Sequence, residues 1–81
     1  MRVDKYLKVA RILKKREVAK NMALEGRLLI HDKPIKPSYE VKVGDEITIV
    51  FGHRTFTVRV LEVKETASKH EALSMYEVLS L

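Results

Sequence analysis

The side chains best suited to carry a reaction are few in this chain and poorly arranged for one. His31 and His53 fall in segments that read as turns, and His70 lies in a polar stretch. None of the three has the His-x-His or His-Glu-x-x-His spacing that holds a metal ion. Asp45 and Glu46 adjoin at a turn and strand start, no serine stands in a nucleophile elbow, and Gly26, Gly44 and Gly52 are too dispersed to cradle a phosphate. With no cysteine, thiol nucleophiles, thiolate zinc sites and redox switches are all excluded. No catalytic centre, metal or cofactor is expected.

The cations are patterned differently. Arg2, Lys5, Lys8 and Arg11 recur at helical spacing, Lys14, Lys15 and Arg16 follow as a run, and Lys20 continues the series. Asp4 is the one acid embedded among them, a better orienter of arginine or lysine than a general base. Residues 1–36 hold eleven Lys or Arg against four Asp or Glu, whereas residues 37–81 hold five against seven. The formal charge of +5 is therefore a first-half surplus. Clustered cations of this kind gain by displacing counterions from a phosphate backbone, which points to a polyanionic partner. Side chains at i, i+3 and i+6 reach successive phosphates without competing. Arg16 opens a helix, where free amides and the dipole also favour an anion.

These residues must be held by a small number of elements. Val3, Tyr6, Leu7, Ala10 and Leu13 form one apolar stripe, predicting a helix over 3–13 with Asp4, Lys5, Lys8 and Arg11 on its polar side. Val18, Ala19, Met22 and Ala23 form the apolar face of a second helix, closed by Gly26. The period then changes to two. Leu28 to Ile30 and Pro34 to Lys36 flank a His31-Asp32-Lys33 turn; Glu46 to Phe51 and Thr55 to Val63 alternate around Gly52-His53-Arg54, with a bulge expected near Leu61. Ser68-x-x-Glu71 has capping-box spacing, predicting a helical turn followed by a last strand over 75–79. Helices followed by a run of strands predict an α+β fold over residues 1–81: two helices packed on a small, mostly antiparallel sheet of four or five strands.

Aromatic residues select among modes of nucleic-acid binding. Tyr6 lies on the apolar stripe, Phe51 and Phe56 alternate with inward strand positions, and only Tyr39 and Tyr76 are candidates for exposure. Base stacking on a sheet face is disfavoured by this distribution, and recognition of folded RNA through its backbone is expected.

Several separated motifs occur in a familiar order. Met1-Arg2-Val3-Asp4-Lys5-Tyr6-Leu7, Lys15-Arg16 with Ala19, Gly26 to Lys33, Lys36-Pro37-Ser38 and Val43-Gly44-Asp45-Glu46-Ile47 together resemble the S4 RNA-binding domain, or αL motif, over residues 1 to about 50. The resemblance implies RNA contacts at Arg2, Lys5, Arg11, Lys15 and Arg16, with Asp4 orienting a neighbouring base. Lys8, Lys14, Lys20 and Lys36 complete the candidate set. Lys15 departs from the pattern, since many members have Ser there; a capping hydroxyl is lost and a charge gained.

The segments Val50 to Val58 and Met75 to Leu79 are similar to those of stand-alone bacterial members that act in ribosome quality control. That likeness implies binding to the split large ribosomal subunit, with contacts to peptidyl-tRNA in the P site and to helix 69 of 23S rRNA. It also implies support of alanine tailing by an NFACT-class partner, RqcH. The related proteobacterial heat-shock S4 protein carries a longer basic C-terminal tail and acts more generally on rRNA. Charge recurs too often for a secretory signal or a membrane span, so a cytoplasmic monomer is expected. Two other readings stand beside this one: a swapped-hairpin DNA-binding regulator, suggested by Val43 to Ile49, and a protein-interaction module.

Overall fold

The computed structural model describes residues 1–81. Helix α1 spans Val3–Val9 and α2 spans Arg16–Leu24; strands β1 (Leu28–Ile30), β2 (Lys33–Pro34), β3 (Glu46–Phe51) and β4 (Arg54–Val60) follow, then a short α3 (Lys69–Ala72) and β5 (Tyr76–Ser80). The five strands form one antiparallel sheet in the order β2-β1-β3-β4-β5. This is the α+β arrangement that the change of period predicts. No helix is long and apolar enough to cross a membrane.

The core lies between the helices and one face of the sheet. Val3, Tyr6, Leu7, Ala10 and Leu13 meet Ala19, Met22 and Ala23 of α2, and Leu28, Ile47, Ile49, Val58 and Val60 close the layer from the sheet side. Met75, also fully buried, ties the C-terminal part to α1: its carbonyl accepts the Tyr6 hydroxyl at 2.7 Å and the amides of Leu61 and Glu62. Burial pushes the Tyr6 phenol well above its ordinary range, so it stays a donor.

Both long helices end in the same way. At α1 the Ile12 amide donates to the Leu7 carbonyl and the Arg11 amide to Lys8, while Arg11 takes a positive φ of 60°. At α2 the Arg27 amide donates to Met22 and the Gly26 amide to Ala23, with Gly26 at φ 75°. These are paired Schellman closures. The first corrects the expected helix over 3–13: α1 stops at Val9 because Arg11 turns left-handed, although Leu13 still reaches the core.

Four other expectations are revised. Asp4 does not lie on the polar side of α1 but is buried, because position 4 faces the start of α2. Val18 is exposed, since the first turn of α2 overhangs the core. The sheet irregularity falls between Thr57 and Val58, where β4 meets β5, rather than near Leu61. Phe51 is exposed although it keeps the phase of Ile47 and Ile49. The capping box forms as expected: the Glu71 amide donates to Ser68 Oγ at 3.1 Å and the Ser68 amide to Glu71 Oε1 at 2.9 Å.

Candidate nucleic-acid interface

The N-terminus of α1 is fixed by the loop that precedes β3. The Val3 amide donates to the Tyr39 carbonyl at 2.8 Å, the Asp4 amide to Pro37 at 3.4 Å, and the Val41 amide to Met1 at 2.9 Å. A terminal ammonium on Met1 pairs with Glu40 at 2.7 Å. Tyr39 in turn donates its hydroxyl to Asp45 at 3.0 Å, which stiffens the loop. Arg2 and Asp4 are thereby held by backbone on both sides of the residue between them.

Asp4 then organises two arginines. Arg2 Nη2 donates to its Oδ2 at 3.1 Å, and Arg16 Nε, from the first residue of α2, donates to its Oδ1 at 3.2 Å. The carboxylate side chain is 2% exposed, whereas the two arginine side chains are 44% and 46% exposed. Burial of the acid is tolerable because each oxygen meets a cation. Most of each guanidinium's N–H fork remains directed to solvent, and one negative charge is set against two positive ones. Lys20, Glu17 and Asn21 complete the walls of an open recess of about 400 Å³ without apolar lining. No side chain caps the first turn of α2, because Lys15 stands at the N-cap position.

The remaining cations divide into separate groups. Lys8, Arg11 and Lys14 surround a smaller hollow near Leu13. Lys8 and Arg11 also border a hollow closed by Glu65, Thr66 and Ala67. Lys5 is not a free cation: its Nζ donates to Glu65 Oε1 at 2.7 Å. The hydrogen bond and charge of Lys5 hold the Glu65 carboxyl below its ordinary range. Lys15 and Lys36 are exposed and line neither hollow; Lys36 immediately precedes Pro37, whose carbonyl meets α1. Thus Arg2, Asp4, Arg16 and Lys20 come together, Lys8, Arg11 and Lys14 form a neighbouring set, and Lys5 bridges to the segment after β4.

Two kinds of residue escape a reading of the cations alone. Glu17 and Asn21 line the Asp4 recess, and Glu17, three residues before Lys20 and four before Asn21, neighbours both on the surface of α2. Glu65 reaches Lys5 across 60 residues, and no local spacing signals that pairing.

A model of the S4 domain matches residues 1–47. The chain belongs to the S4 domain family. All ten candidate contact residues lie within the S4 match, which takes in both long helices and reaches into β3. Similarity to individual proteins extends further. The chain is 48% identical over 79 residues to a Bacillus subtilis protein named RQC P-site tRNA stabilizing factor, spanning 98% of this chain and 92% of that one. A Streptococcus pneumoniae protein of the same name is 46% identical over 80 residues, spanning 99% and 91%. Among solved structures, the trimeric structure of Vibrio cholerae Heat Shock Protein 15 superposes with a TM-score of 0.88 at 31% identity, covering 99% of this chain and 82% of that one. The S4 fold of this chain, including its C-terminal strands, is therefore shared with that heat shock protein.

Proposed function

We propose that this chain is a non-catalytic RNA-binding factor of translation that steadies tRNA in the P site of the large ribosomal subunit during ribosome quality control. The observation that carries the reading is the buried Asp4 carboxylate holding Arg2 and Arg16 half-exposed at one recess, a fixed pair of forks suited to backbone phosphates. The near end-to-end similarity to proteins named for P-site tRNA stabilisation supports the choice of RNA. In this reading the two helices clamp phosphates of peptidyl-tRNA and of 23S rRNA at helix 69. The fixed relation between the two RNAs supports alanine tailing by RqcH. The chain works in the cytoplasm as a single copy.

Arg2→Ala and Arg16→Ala test this. Each is expected to weaken association with large subunits in sucrose gradients and to reduce the salt slope of binding by roughly 0.7 to 0.9. Unchanged association in both variants would refute the clamp. Crosslinking in cells, with sequencing of bound RNA, should return tRNA and helix 69 reads. A second reading, a general rRNA-binding factor of the heat-shock type, draws on the 31% identity and shared fold with Heat Shock Protein 15. It requires equal binding to large subunits with and without peptidyl-tRNA.

A further inference from the structure

The largest hollow on the surface lies away from the basic recesses, at the β3–β4 hairpin. It measures about 770 Å³ and is lined by Phe51, His53, Arg54, Thr55, Phe56 and Leu81. Its origin is a sheet that outruns its cover. Phe51 shares the core-facing phase of Ile47 and Ile49, both fully buried, yet it is 42% exposed. Register puts Arg54 opposite Phe51 and Phe56 opposite Ile49, so Arg54, Phe51 and Phe56 share that same face at its uncovered end. Phe56 packs partly against the core and forms a floor. Phe51 lies outside the core cluster and is the cross-strand partner of Arg54.

We propose that this recess is a further RNA contact, in which an unpaired nucleobase stacks on Phe51 and Arg54 meets the adjoining phosphate. The proposal rests on the RNA-binding reading above and adds to it a site for single-stranded RNA. An aromatic face and a cation side by side are what base stacking with backbone neutralisation requires. No acidic side chain lines the hollow, so Arg54 is its one charged side chain even though residues 37–81 as a whole are mildly acidic. A second copy docked symmetrically on this face would bring a second Arg54 to a hollow with no acidic side chain to pair either, which opposes self-association there. The stacking disfavoured by the inward phase of Phe51 becomes accessible because no helix covers that end of the sheet.

The chain contains no tryptophan, so Phe51→Trp introduces a single indole at the platform. Titration with oligoadenylate should quench its emission saturably, and ribose 5-phosphate at equal phosphate concentration should not. In filter binding, Phe51→Leu, which keeps apolar bulk without an aromatic face, should bind oligoadenylate about tenfold more weakly than the unaltered chain. Arg54→Gln should lower the salt slope for the same probe by about 0.7. An unquenched indole at saturating oligoadenylate overturns the proposal. So does quenching that follows protein concentration without RNA, which marks a second copy as the occupant, with sedimentation to show it. The two sites fail separately. If the indole stays silent while Arg2→Ala and Arg16→Ala lose large subunits, only the hairpin contact is wrong. If the indole responds while those variants bind normally, the helix clamp is wrong and the hairpin contact stands.

Discussion

One carboxylate decides how the cationic surface is presented. Asp4 lies almost wholly inside, bonded to Arg2 and Arg16, and so converts two flexible side chains into a fixed pair. Replacing it separates charge from geometry. Asp4→Asn raises the formal charge from +5 to +6, and counting charge alone predicts tighter RNA binding. We expect the reverse: weaker binding in a filter assay and a melting temperature lowered by several degrees, because charge-assisted bonds are worth about 1.5–3 kcal/mol each when buried. Tighter binding by Asp4→Asn would show that the arginines need no orienting partner. That Asp4 would pair with arginine or lysine was legible in the sequence, since it is the one acid between Arg2 and Arg16. Its burial was not, because a helical wheel drawn for α1 alone contains no information on where α2 begins.

At the scale of elements, the ends of the helices carry the clearest lesson. The two Schellman closures are alike in hydrogen bonding and differ in the residue that turns left-handed, Gly26 in one and Arg11 in the other. Glycine announces such a turn, whereas arginine conceals it, and the apolar spacing that continues to Leu13 made α1 look a full turn longer than it is. An L-residue in that region costs about 1–2 kcal/mol. Arg11→Gly is accordingly expected to stabilise the fold by up to about 1 kcal/mol in urea denaturation while weakening RNA binding. A variant that is both less stable and equally tight in binding would contradict the assignment. The capping box of α3 gives a pH-dependent counterpart. The Ser68 amide, chiefly, holds the Glu71 carboxyl below its ordinary range, with the Ser68 hydroxyl and Lys64 adding to the effect. A depressed folded pKa contributes stability above the ordinary carboxylate range and loses it as pH falls through the folded value. Glu71→Gln should therefore melt below the unaltered chain at neutral pH, and the gap should close on acidification; a gap constant with pH would remove Glu71 from the cap. That box was readable because both partners lie within four residues, unlike the bond between Lys5 and Glu65.

For the molecule as a whole, the uneven charge of the sequence becomes a division of labour in space. Most of the surplus lies on α1, α2 and the turn between them, and the mildly acidic second half supplies β3, β4, β5 and the segment that leads to α3. The class of fold followed from the change in period at Arg27, and the inward residues of β3 and β4 followed from alternation until the sheet ran past its helices at Phe51. The acidic half is more than ballast, because Glu65 already occupies Lys5. With Arg2 and Arg16 held by Asp4 of the basic half, three of the nine candidate cations have partners covalently attached to the same chain. A tethered partner cannot be diluted, so Lys5 meets a phosphate only by giving up Glu65, whereas Arg2 and Arg16 keep Asp4 and offer the rest of their forks. At Lys5 the phosphate must out-compete a carboxylate held by the same chain, and added salt screens both bonds together.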